Sequence, residues 1–200
     1  TLRAVARLWL GVGPERSGVA SAGNGAAMRA AILGACFGHD TPRLRELARI
    51  STRVTHTDSR AEQGALAVAL AAHVAATGPA DDALAARYAA AVAAGLGPEA
   101  AELLTVIEKA CASTGQSTPE FADAIGPAGG VSGYVCHTVP VALHAWLRHP
   151  TDLRASVLEA VACGGDTDTV AAIAGGIVGA GVGRAGVPDD WLARIIEWPM

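Results

Sequence analysis

Apolar residues recur three and four places apart along almost the whole chain, and no convincing stretch alternates apolar with polar. That period belongs to amphipathic helices rather than strands. Leu44, Leu47, Ile50 and Val54 show it plainly. Composition points the same way: 51% of residues are apolar but only 4% aromatic, so a core has to be built mostly from Ala, Val and Leu. An Ala-rich composition with few β-branched runs favours close-packed helices. The expectation is a compact all-α, multi-helix fold, with residues 1–200 forming one domain. A chain of this size buries roughly 70% of its unfolded surface.

Helix boundaries follow from caps and breakers. One helix is expected from Gly25 to Phe37, ending at Gly38, and another opens at Pro42. Asp58 can cap a third, running from Ala61 to Thr77 before Gly78-Pro79. Asp81–Ala94 and a segment from Pro98 to Ala112 follow. The stretch from Gly115 to Gly133 is the least regular and reads as a short helix plus a mobile loop. Ser132–Arg148 is helical again, with Pro140 predicting a kink or a late start. Leu153–Cys163, Thr169–Val182 and Pro188–Ile196 complete the set.

Several function classes lose support at once. A net charge of −4 leaves no basic footprint for nucleic acid. The longest apolar run, Val170 to Gly183, is about fourteen residues, short of the ~20 that span a bilayer. The four cysteines, Cys36, Cys111, Cys136 and Cys163, form no CxxC pair and no zinc-spaced cluster with histidine. They read as small buried hydrophobes in a reducing, cytoplasmic compartment. No signal peptide is visible, and a start at Thr1 without Met suggests an N-terminus processed, cleaved or missing.

The segment Gly164-Gly165-Asp166-Thr167-Asp168-Thr169 carries the most chemistry. Two carboxylates and two hydroxyls in four residues, ahead of an Ala/Gly helix, suit Mg²⁺, Mn²⁺ or Ca²⁺ better than zinc. Residues two apart on a helix point to different faces. One site can use both carboxylates only if Asp166 lies in the loop, with Asp168 and Thr169 on the first turn. The competing reading is a simple cap that favours the helix dipole.

Three further segments carry polar groups at helix starts. Ala22 to Arg29, with Gly23-Asn24-Gly25 at its centre, can present backbone N–H groups to a phosphate or serve as a plain turn and cap. Thr55-His56-Thr57-Asp58-Ser59-Arg60 can wall a polar cleft, or His56 can satisfy carbonyls at a helix end. In Gly130-Val131-Ser132-Gly133-Tyr134 the ring can stack on a base while Ser132 caps. Cys136 and His137, adjacent on a helix, make a poor metal pair. No GxSxG, Walker loop or HExxH is present.

In order, GNGAAMR, THTDSRA, SGYVCHTVPVALHAWLRHP and GGDTDTVAAIAGGIVGA resemble the ADP-ribosylglycohydrolase family, whose fold is all-α. The resemblance spans nearly the whole chain. It implies removal of ADP-ribose from a modified protein side chain with two divalent cations, Mg²⁺ or Mn²⁺. Asp166, Asp168 and Thr169 match the family's C-terminal metal ligands, and the two carboxylates are the candidate catalytic groups. Gly23, Asn24 and Gly25 match the loop along the diphosphate and ribose. His56 matches a cleft histidine, and Ser132, Gly133 and Tyr134 match a segment at the nucleotide end.

Cleaving a ribosyl bond develops oxocarbenium character, which paired cations and a nearby carboxylate can serve. The family's earlier Thr-Asp-Asp metal motif and its acidic residue have no counterpart here. The chain is therefore expected to hold half of a metal shell. It would be the C-terminal part of a hydrolase completed by an N-terminal segment or chain, an ADP-ribose-binding pseudoenzyme, or a structural relative. The retained Asn24, His56, Asp166, Asp168 and Thr169 argue against the last.

Overall fold

The Ala-rich segment after Asp58 folds as the axis of the molecule. The computed structural model describes residues 2–127 and 129–195. Two short helices, α1 (Leu2–Trp9) and α2 (Pro14–Ser17), come first. They are followed by α3 (Ala31–Phe37), α4 (Thr41–Arg53), α5 (Ser59–Thr77) and α6 (Leu84–Gly95). Next are α7 (Ala101–Ala112), α8 (Thr118–Ile125), α9 (Val135–Arg148) and α10 (Leu153–Ala162). The last are α11 (Thr167–Val182) and α12 (Asp189–Leu192). Among the described residues there is no sheet, only three isolated bridges. The fold is all-α, and one hydrophobic cluster joins its helices. Among them none is long and apolar enough to cross a membrane.

Helix α5 is buried almost all round from Ala61 to Ala72, and α9 from Val135 to Leu147. A helix apolar on every side belongs at the centre of a bundle. Alanine and glycine let neighbours approach until backbones touch. A Cβ placed on Gly34 of α3 would lie 1.7 Å from the Ala69 carbonyl oxygen of α5, so nothing larger than glycine fits there. The few aromatics fill the remaining volume. Tyr88 and Trp146, both fully buried, meet edge-on at 5.3 Å between centroids.

Several expected boundaries move, each for a local reason. The segment from Gly25 to Phe37 divides into a tight 3-10 turn over Ala27–Arg29 and then α3. α6 begins at Leu84 rather than Asp81, because the Asp81 carboxylate takes the Ala83 amide and folds a turn. α9 begins at Val135, so Ser132, Gly133 and Tyr134 precede the helix. Pro140 sits inside it. The irregular stretch contains α8, nucleated by a capping box in which Ser117 and Glu120 satisfy each other's backbone amides. The last expected helix shrinks to Asp189–Leu192, and Ile196 lies outside the described residues. Cys136 and Cys163 are buried as expected, whereas Cys36 is exposed.

Candidate functional site

Four loops meet where helices begin or end, and three single backbone bridges tie them. Val19 pairs with His56, Gly23 with Tyr134, and Val131 with Gly165. The Asn24 amide donates to the Gly133 carbonyl at 3.1 Å, and Val135 donates to Ala22 at 3.0 Å. This pairing consumes the Gly133 carbonyl, which would otherwise extend α9 backwards, together with the Val135 amide. The Asp166 amide donates to Val131 at 2.8 Å. Gly165 adopts φ +73, and a Cβ there would lie 2.2 Å from the Val131 carbonyl oxygen. Glycine is required here by conformation and by space together.

Asp166 occupies the cap position of α11, yet its side chain accepts no backbone bond from the helix. The simple-cap reading is thereby set aside. Its Oδ2 accepts from Asn24 Nδ2 at 2.6 Å, and its Oδ1 accepts from the Thr169 hydroxyl at 2.9 Å. The buried Asn24 amide donates its second proton to Thr138 Oγ1 at 2.9 Å. Thr138 in turn donates to the Ser132 carbonyl at 2.7 Å. That direction fixes which way the Asn24 amide points. Asp168 lies exposed on the first turn of α11, close to Asp166. Burial pushes the Asp166 carboxyl up, but the hydrogen bonds from Asn24 and Thr169 hold it below the usual carboxylate range.

His56 stands on the opposite side of Gly23, where a Cβ on that glycine would come within 3.0 Å of its Nε2. Arg29 spans the gap beneath: its guanidinium donates to the Gly25 carbonyl, to the Ser51 carbonyl at 2.7 Å and to the Thr55 hydroxyl at 2.8 Å. Thr55 Oγ1 lies 2.8 Å from His56 Nδ1, a hydrogen bond whose direction follows the ring tautomer, and Nε2 faces Gly23. Burial and neighbouring positive charge, Arg29 included, lower the His56 pKa, so the ring is neutral near pH 7. His56 therefore does not simply close off α4 through its side chain.

Ser132 does not cap α9. Its amide donates to His137 Nδ1 at 3.1 Å, with its hydroxyl 3.2 Å from the same nitrogen. His137 is a buried brace for the loop. Tyr134 is half-buried, and its hydroxyl donates to Glu102 at 2.6 Å while accepting from Arg60 at 3.3 Å. Thus the structure brings Gly23, Asn24, Ser132, Gly133, Tyr134, Asp166 and Thr169 into one hydrogen-bonded junction, with His56 across Gly23, Gly25 held through Arg29, and Asp168 beside Asp166. Arg29, Thr55, Thr138 and His137 complete the frame, although no polarity signal marked them as frame residues. All four fall inside the quoted motifs or one residue from them, which was the available clue.

The donor set suits a hard cation. Asp166, Asp168 and Thr169 offer only oxygen, and among the described residues neither carboxylate has an ion-pair partner. The shell is partial: no group of three or more His, Cys, Asp or Glu side chains is gathered for a metal among the described residues.

The model of the ADP-ribosylglycohydrolase family matches residues 1–198. ADP-ribosylhydrolase ARH3 of Mus musculus is 28% identical over 88% of this chain and 53% of its own length. An uncharacterised protein of Archaeoglobus fulgidus is 33% identical over 95% of this chain and 59% of its own length. A solved ADP-ribosylglycohydrolase-related protein complex superposes with a TM-score of 0.74 at 30% identity, covering 98% of this chain and 62% of the other. The chain thus spans little more than half the length of these curated relatives. With a family match over nearly every residue and the same fold in a solved relative, the chain belongs to the ADP-ribosylglycohydrolase family.

Proposed function

We propose that this chain is the C-terminal portion of a hydrolase domain that removes ADP-ribose from a modified protein side chain. The observation that carries the reading is an unbalanced charge. Asp166 and Asp168 sit side by side at a loop junction, Asp166 held by neutral donors and, among the described residues, neither paired with a cation of the protein's own. Two adjacent carboxylates without a counter-ion favour a bound divalent cation. Asp166, Asp168 and Thr169 would hold Mg²⁺ or Mn²⁺, which would supply Lewis acidity at the scissile ribosyl bond. The remaining ligands, for this ion and for the second ion of the complete site, would come from a complementary segment.

The chain's own groups divide the other tasks. Asn24 and Thr169 orient the Asp166 carboxylate. The Gly23-Asn24-Gly25 turn brings backbone close to the diphosphate and ribose, and Nε2 of His56 faces the ligand beside Gly23. Ser132, Gly133 and Tyr134 line the nucleotide end. The exposed Trp9 that ends α1, Leu10 just after it, and Ile32 on α3 offer apolar contacts for the complementary segment. A cytoplasmic location accords with cysteines that are all free.

A second reading, an ADP-ribose-binding pseudoenzyme, draws on the same partial shell. Calorimetric titration with Mn²⁺, then ADP-ribose, tests both. Weak Mn²⁺ binding that tightens ADP-ribose, together with turnover once the complementary segment is added, supports the hydrolase. Binding without turnover in the completed protein supports the pseudoenzyme. No binding of either ligand removes both.

A further inference from the structure

We propose that Arg60 and Glu102 are positioning residues for Tyr134, clamping its hydroxyl from two different helices so that the ring stands as a fixed wall for a nucleobase. The inference rests on the ADP-ribose reading of the site above.

A tyrosine side chain turns about two torsions, and holding its distal oxygen removes freedom from both. Here that oxygen uses both of its hydrogen-bonding roles. It donates to Glu102 Oε1 of α7 at 2.6 Å and accepts from Arg60 Nη1 of α5 at 3.3 Å. A hydroxyl bound to a carboxylate at this distance makes one of the stronger hydrogen bonds available. Arg60 is itself immobilised. Its Nη2 and Nε lie 2.8 Å and 3.0 Å from the two Asp58 oxygens, and its guanidinium carbon sits 5.6 Å from the Tyr134 centroid. Asp58 caps α5 by accepting the Arg60 amide at 2.9 Å, so the clamp is referred back to helix backbone.

The other end of Tyr134 is equally fixed, because its backbone pairs with Gly23. The aromatic is therefore anchored at both ends before any ligand arrives. A preset ring costs a ligand less ordering on binding. Burial and the Glu102 carboxylate together push the Tyr134 phenol well above the usual tyrosine range, so it stays a donor at any working pH.

The test compares AMP with ribose 5-phosphate by calorimetry on the full chain carrying Tyr134→Phe, Glu102→Ala, their combination, or Glu102→Gln. Losing one such bond is expected to weaken AMP about fivefold in each single variant. The combined variant should be no weaker than either alone, and Glu102→Gln, which keeps an acceptor oxygen, should restore most of the affinity. Ribose 5-phosphate, which has no base, should change less than about twofold in all of them. Unchanged AMP binding in the single variants, losses that multiply in the combination, or equal weakening of ribose 5-phosphate would each overturn the clamp while leaving the site standing. Wild-type protein that binds neither AMP, ADP-ribose nor ribose 5-phosphate would remove the site reading and the clamp with it.

Discussion

Two polar networks lie at the two ends of α9 and use nearly the same chemistry for contrary purposes. At one, Glu159 of α10 accepts from Thr118 Oγ1 at 2.5 Å and from Arg148 Nε at 2.9 Å, with His149 Nε2 at 3.0 Å. Arg148 also donates to the Thr114 and Gln116 carbonyls at 2.7 and 2.6 Å. His144, stacked on Phe121 at 4.5 Å, closes the cluster through Thr118 and the Ser113 carbonyl. At the other, Asp166 receives an amide and a hydroxyl but no guanidinium. The first network contains its own cation. The second presents two carboxylates and, among the described residues, lacks one. Residue types alone do not separate a structural cluster from a binding site; the charge balance does.

Four experiments break or sharpen that contrast. The largest effect belongs to the open network: Asp166→Ala should weaken Mn²⁺ binding by more than about a hundredfold, measured by calorimetry. Equal affinity in the variant would place the cation elsewhere. Next comes Arg148→Met, which strands the Glu159 charge with its neighbours. Urea unfolding should show a loss of about 3 kcal/mol, since removing one partner of a part-buried pair exposes the penalty of the other. A loss below about 1 kcal/mol would mean the cluster is a surface pair in disguise.

The third concerns acid. Burial raises the Glu159 carboxyl, but bonds from Arg148, Thr118 and His149 bring it down to about 2. A folded value below the unfolded one stabilises at pH above about 4.5 and is lost as pH falls toward 2, a difference of about 2–3 kcal/mol. Glu159→Gln should flatten stability across that window in a urea series, and an unchanged slope would contradict the assignment. The smallest effect has the reverse sign. Asp168→Asn should raise the stability of metal-free protein by about 0.3–0.5 kcal/mol, because it relieves repulsion from Asp166. A decrease would show that Asp168 is tied into the fold.

Much of this was legible in the chain itself. The three- and four-residue period gave the helices because small apolar residues leave few other ways to bury a stripe. The order of the four polar segments located the junction, and Asp166 and Asp168 stood out as a pair. What escaped was long-range. Arg29 reaching Ser51 and Thr55, or Glu102 reaching Tyr134, leaves no periodic trace, since such contacts depend on where helices finish in space. The cap reading of Asp166 failed for the same reason: a partner 142 residues away, Asn24, competes for its oxygen. Helix starts were also displaced where backbone groups were committed elsewhere, as at Ser132–Tyr134. Ser117-Thr118-Pro119-Glu120 was likewise a local signal, marking the start of α8, the short helix expected within the irregular stretch.

The three bridges have a consequence for how such a site can change over time. Each is made of main-chain atoms, so the frame at positions 19, 22, 131 and 133 does not depend on which side chains those positions carry. The rim can be rewritten for another acceptor while the centre keeps its shape. The glycines at 130 and 165 are denied that liberty, because there the frame itself occupies the space a side chain would need.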